Sequence, residues 1–480
     1  MRGSPWVGVP ALLVLVSAAA RQEPVARLRN PQIEILIEEA RAVPPEFSAD
    51  VLIRAAQAVP VTDPDWRREL LEEAFMRAYG AQQEYRRRAA PLPPDTRQGA
   101  EALAADTPLN RVALQVRAVQ LLRFTDADRA RELFGWIEPH LDADTCESAL
   151  TPALDEYYVA LATLSRQSFA STTSQGRSDA LSFFELFLWR ARTPSEVPSV
   201  IRAIRRFRAT TGEAANLEAL LRAMLENGEL APRAFSTSEV DIASQMSALR
   251  DVDRALGIGG THLLATLRRY LVAQFEGPRC SDSAADDAVV EWFNAIIRRE
   301  GSERDGIAQI SSIEARPSRR LGAVTLSPYW TTPEARRLHD DAGRLRGTGT
   351  QPLPLVVRRS RGWLEQADRH LVDVQQWQAT REASARDHFY QKGSLFLSLV
   401  DLVPRSPTRV RVLRAFVDFL HHEDAGGQRA LWYLFANRLI ERIDSEDRRD
   451  VLQAIGDSGD RVLLLYAHAA RTAPINRRTN

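Results

Sequence analysis

Apolar positions along this chain recur at three- and four-residue intervals almost everywhere, and strict alternation is almost absent. Leu217, Leu220, Leu221, Met224 and Leu225 form one stripe of a helix that Asn227-Gly228 is expected to end. Leu264, Leu267, Leu271 and Phe275 repeat the pattern, as do Leu413, Phe416, Val417 and Leu420. Start signals agree with this periodicity. Asp63-Pro64, Thr332-Pro333 and Ser406-Pro407 each set a capping side chain before a proline suited to the first helical position, and Ser236-Thr-Ser-Glu239 reads as a capping box. The fold class expected is all-α: an irregular multi-helix array, solenoid-like or built of bundled helical hairpins, with about sixteen helices.

Breaks in the pattern divide the chain. Ala-Val-Pro at 42–44 and again at 58–60 ends the first two helices, because proline cannot continue the backbone ladder. With the helix from Pro64 to Tyr79 they give an N-terminal unit over 21–90, in which Arg86-Arg87-Arg88 reads as the basic end of a helix. A Pro-rich linker over 91–107 leads to a central helical block at 108–300. An irregular connecting segment at 301–361, around one short helix from Pro333 to Arg346, leads to a C-terminal block at 362–480. No fixed repeat period of the tetratricopeptide or HEAT kind recurs.

At the start, Arg2, the apolar run Trp6 to Val16 and Ala18-Ala19-Ala20 read as a secretory signal over 1–20. The expected localisation is therefore periplasmic or secreted. The densest later apolar stretch, Leu181 to Trp189, is too short to cross a bilayer and carries Glu185, so it is expected to be a buried helix. No stable membrane insertion is expected after signal removal. In an oxidising compartment Cys146 and Cys280 are available for one disulfide, worth about 4 to 5 kcal/mol if formed, with two unpaired thiols as the alternative.

Composition narrows the function classes. The apolar 44% and charged 26% describe a soluble globular protein, and 63 basic residues against 63 acidic ones remove the field a nucleic-acid binder needs. Of the basic residues only Lys392 is a lysine, so a phosphate-binding loop and a Ser-x-x-Lys dyad are excluded, and Schiff-base chemistry would rest on Lys392 alone. No cofactor is expected.

Four constellations carry possible chemistry. Gly456-Asp457-Ser458-Gly459 resembles the nucleophile segment of chymotrypsin-like serine proteases, but it lies between two helical patterns rather than on a β-barrel loop. It is expected to be a turn, with Gly456 ending one helix and Asp457 or Ser458 capping the next. His421-His422-Glu423-Asp424 has metal-ligand residue types at the wrong spacing for chelation from a helix, so no metal is expected. Trp363, His370 and Trp377 recur every seven residues beside a core stripe of Leu364, Ala367, Leu371 and Val374, with Asp373 one turn from His370. If exposed, this ladder is a sugar-stacking platform with a proton-transfer pair; if buried, it widens the core. Arg202, Arg205 and Arg206 on the helix from Pro198 to Arg208 are a candidate anion site or a solvated face.

These readings support an exported, non-catalytic helical scaffold or binding protein, acting on protein or a cell-envelope polymer. The alternative is a carbohydrate- or cell-wall-active enzyme on a helical toroid or arch, using paired carboxylates and aromatic stacking.

Overall fold

The computed structural model describes residues between 29 and 472, and its longest undescribed stretches are 230–248, 250–261, 277–290 and 296–329. The segment 1–20, Cys146, Cys280 and the Ser236 to Glu239 capping box lie outside the described residues.

The fold is an all-α, irregular multi-helix array, with nineteen α-helices among the described residues. The first group comprises α1 (Pro31–Arg41), α2 (Pro45–Gln57), α3 (Pro64–Arg77), α4 (Arg97–Ala105), α5 (Arg111–Leu122) and α6 (Ala127–Gly135). After them come α7 (Asp155–Gln167), α8 (Ser174–Leu188), α9 (Val197–Phe207), α10 (Thr211–Glu229) and α11 (His262–Glu276). The C-terminal group is α12 (Pro333–Arg346), the single turn α13 (Leu355–Arg358), α14 (Arg361–Gln376), α15 (Ala385–Leu402), α16 (Pro407–His422), α17 (Arg429–Glu441), α18 (Arg448–Ser458) and α19 (Arg461–Thr472). Most helices pack on those one or two places away along the chain, as in α1 on α2, α2 on α3, α7 on α9 and α16 on α18. Local side chains set the starts. Asp63 accepts from the Asp65 amide at 3.1 Å, Thr332 from Ala335 at 3.2 Å and Ser406 from Arg409 at 3.3 Å, each satisfying an amide the first turn leaves without a partner.

Several local expectations are corrected. Arg86–Arg88 is not a helix end but a short strand, paired antiparallel with Leu150–Pro152. The chain leaves α3 through a tight turn at Ala78–Gly80, where a Cβ on Gly80 would sit 2.8 Å from Pro45 Cγ. Helix α10 reaches Glu229, one residue beyond the expected stop at Asn227-Gly228. The apolar stretch 181–189 is only half buried: Phe184, Phe187 and Leu188 enter the core, while Leu186 and Trp189 stand on the solvent side of α8. The Pro-rich segment 91–107 contains α4, capped by the Thr96 hydroxyl on the Gly99 amide at 3.0 Å.

Two hydrophobic cores result among the described residues. The first joins α1–α3 with α5–α11, so the N-terminal unit and the central block share one interior. The second joins α12 with α14–α18 and takes Ala100 and Ala104 from α4, which also reaches α15 through the Arg97–Asp387 ion pair. Helices α17 and α19 belong to both: Tyr433, Leu465, Tyr466 and Ala469 face the first core, whereas Phe435, Leu439, Leu463 and Ala467 face the second.

The ends of the array meet at this double-faced pair. Glu46, Asp50 and Arg54 are spaced four apart on α2, and Arg429, Tyr433 and Asn437 are spaced four apart on α17. Arg429 donates to Glu46 at 2.8 Å, Tyr433 to Asp50 at 3.2 Å and Arg54 to Asn437 at 3.5 Å, and each pair is separated by 383 residues. A constant separation means that the two helices run in the same direction and in register, one turn against one turn. Phe47 packs into the seam against Trp432, Tyr433 and Tyr466. At its edge Glu39 of α1 pairs with His468 of α19 at 2.7 Å.

Candidate functional site

A polar cleft of about 390 Å³ opens between α16 and α18, lined by Asp418, His421 and His422 on one side and Gln453, Asp457 and Ser458 on the other. It brings together two motifs lying more than thirty residues apart, because the ends of the two helices lie side by side. Its details argue against hydrolysis. Helix α18 runs on through Gly456 to Ser458, and Gly459, with φ of +69°, supplies the left-handed residue that ends it. Asp460, not Asp457 or Ser458, caps α19, accepting from Val462 and Leu463 at 2.9 Å each. The Ser458 hydroxyl donates to the Ile455 carbonyl at 2.8 Å, a helix-end contact rather than a contact with a base. Nδ1 of His422 lies 2.9 Å from the Asp418 carbonyl. A carbonyl only accepts, so Nδ1 is the donor in this contact and is occupied by the helix end. Among the described residues no three His, Cys, Asp or Glu side chains are grouped so as to hold a metal ion.

The Trp363, His370 and Trp377 ladder lies inside the second core. α12 and α15 pack over α14 and bury all three rings. The Trp363 indole donates to the Leu345 carbonyl at 3.1 Å, and Trp377 meets the edge of His388 with ring centroids 4.5 Å apart. Neither ring presents a face to a sugar. Both nitrogens of His370 lack a hydrogen-bond partner, and burial holds its pKa below the ordinary histidine value despite the charges of Asp341 and Asp373. Asp373 remains on the surface, paired with Arg337 at 2.9 Å.

Lys392, the lone lysine, is buried nearby on α15. Its ammonium donates to the Trp377 carbonyl at 2.9 Å and to Glu423 at 2.8 Å. It thereby ties the C-terminal ends of α14 and α16 together, where a cation also complements the helix dipoles. An amine so engaged is not poised as a nucleophile. Of the candidate anion site, Arg202 pairs with Asp155, which also accepts from Ser199 at 2.6 Å. Arg205 and Arg206 are on the surface of α9.

The strongest electrostatic feature among the described residues is the seam itself, which no short sequence motif marks. Asp50 is fully buried and accepts from Arg117 at 2.7 Å, Arg54 at 3.0 Å, Tyr466 at 3.0 Å and Tyr433 at 3.2 Å. Burial by itself pushes this carboxyl up, but the charges of Arg54 and Arg117 and the Tyr466 hydroxyl overcome it and hold Asp50 at about 2. Burial, then the Asp50 charge, pushes both tyrosine hydroxyls up. The signal was present in the sequence: charged residues at 46, 50 and 54 fall on one face of a largely apolar helix and need partners on another element.

No family model matches the chain, and no curated protein matches it. One solved structure, described as a circular tandem repeat protein with novel repeat topology and enhanced subunit contact surfaces, is similar over 92% of this chain and 95% of its own, at 11% identity and a TM-score of 0.15. A likeness that slight carries no weight for fold or function.

Proposed function

We propose that the protein is a non-catalytic helical scaffold, exported from the cytoplasm, that acts through protein–protein or cell-envelope contacts. One observation carries the reading: two buried clusters of ionisable side chains among the described residues, around Asp50 and around Lys392, are engaged in holding helix to helix. Groups held in that way have no open position for a substrate. Burial of Trp363, His370 and Trp377 points the same way, because it removes the stacking platform that the carbohydrate reading requires. Leu186 and Trp189, one turn apart on the solvent side of α8, supply an aromatic contact of the kind that anchors protein interfaces.

The test uses the purified mature chain. We expect no release of sugar fragments from peptidoglycan or common polysaccharides, and retention on a cell-envelope fraction that falls about tenfold in Leu186→Ser/Trp189→Ser with the melting temperature unchanged. Glycan cleavage that disappears in Asp418→Asn or Asp457→Asn would replace the scaffold reading with the enzymatic one. Export is tested separately, by an N-terminus of the mature protein that begins at Arg21.

A further inference from the structure

Helix α13 exposes three successive apolar side chains: Leu355 at 44%, Val356 at 78% and Val357 at 41%. Such a run is ordinarily excluded from a protein surface unless something covers it. The turn is built into the framework. The Leu353 amide donates to the Arg346 carbonyl at 2.9 Å, tying the turn to the end of α12. Arg358 donates to the Leu353 carbonyl at 2.8 Å and to the Leu402 carbonyl at 2.6 Å, tying it to the end of α15. The three side chains are therefore held outward on a fixed platform.

The charge around the turn is one-sided. From Ala342 to Leu364 this neutral chain carries five arginines and no carboxylate. Arg358 is engaged in holding the turn, while Arg344, Arg346, Arg359 and Arg361 are exposed around it. Two carboxylates just outside this stretch answer part of the charge, Asp341 to Arg344 and Glu365 to Arg361.

We infer that α13 is a peripheral docking point for an anionic lipid surface, with Leu355, Val356 and Val357 entering the interface and Arg346, Arg359 and Arg361 meeting headgroup phosphates. Guanidinium pairs with phosphate through two parallel hydrogen bonds, and a bilayer admits a small convex apolar tip without a complementary groove. A protein partner needs roughly 800 Å² on each side, which one four-residue turn does not offer. No helix among the described residues is long and apolar enough to cross a membrane, so this contact is surface docking. It is independent of the scaffold reading, because it is measured with no protein partner present.

The experiment is cosedimentation of the full mature chain with phosphatidylcholine vesicles, with and without about one-third phosphatidylglycerol. We expect retention on the anionic vesicles at least fivefold above the neutral ones, lost as ionic strength rises. Val356→Asp/Val357→Asp should reduce retention to the neutral background with unchanged melting, since both residues are exposed. Arg359→Gln and Arg361→Gln should each weaken it by about fivefold. Equal retention on neutral vesicles, no retention at all, or retention unaffected by the double aspartate variant would overturn the inference. So would a concentration-dependent dimer, seen by sedimentation velocity, that the double variant abolishes without any vesicle binding; that result assigns the turn to a second copy of the chain.

Discussion

Asp50 and His370 are both polar side chains buried in helical cores, and their surroundings treat them in opposite ways. Asp50 stands between two guanidiniums and two phenols that arrive from four other turns or helices, and its charged form is favoured in spite of burial. His370 has neither nitrogen bonded, and burial holds it neutral in spite of the charges of Asp341 and Asp373. The difference lies in the number of helices that supply polar atoms. At the seam three elements of distant sequence converge on one carboxylate, whereas the apolar stripe of α14 faces leucines and aromatics on its neighbours. Burial of a polar group thus strengthens the seam and weakens the second core.

The largest test of this contrast is Asp50→Ala. It leaves the partly exposed Arg54 and Arg117 without the counter-charge between them, and should cost about 3 kcal/mol. Thermal and urea unfolding would show a fall of several degrees and an early loss of contact between α2 and α17. Melting within a degree of the parent would mean that the cluster does not hold the ends together.

Acid titration separates the two groups by pH. The folded Asp50 value of about 2 lies below the unfolded value of about 3.9, so its contribution is complete above about pH 4 and declines as pH falls toward 2, by roughly 2 to 3 kcal/mol. Burial lowers His370 and His388, the latter aided by the charge of Lys392. The unfolded chain therefore takes up their protons first, and stability begins to decline as pH falls through about 6.5. Urea midpoints from pH 8 to 2 should show both limbs, with His370→Leu flattening the upper one and leaving the lower intact.

At neutral pH His370→Leu should stabilise the protein by about 1 kcal/mol, because it removes two buried nitrogens without partners at nearly constant volume. Any loss greater than that would show that the imidazole has a role which its surroundings do not reveal. The smallest effect is expected of Tyr466→Phe, a loss of about 0.5 kcal/mol, since Asp50 keeps its three other donors.

Local features of this fold were readable from the sequence because their causes are local. Asp63, Thr332 and Ser406 each sit next to the amides they cap, so three residues suffice to place a helix start. Helix α4 escaped notice because the prolines around it outweigh a single Thr96 cap, and its reason for being helical is Ala100 and Ala104 packing on a core assembled from residues beyond 330. The stop at Gly459 rather than Gly456 turns on which glycine adopts positive φ once Ile455 is buried. The spacing of Trp363, His370 and Trp377 was legible, but α12 and α15 decide whether those rings are wet or dry. The seam required pairing positions 383 residues apart, although each half was visible as a row of polar residues on its own helix.

The parallel direction of α2 and α17 has a mechanical meaning. A pull that separates the two ends of the chain is met first where α19 packs on α1 and α2, and then at the seam, where the N-terminal end of α2 and the C-terminal end of α17 are drawn apart along their axes in opposite senses. The bonds at Glu46, Asp50 and Arg54 then bear it side by side instead of opening one after another. Until they fail, the residues between the two helices carry no tension, and the molecule behaves under stretch as a short clasp with a slack interior.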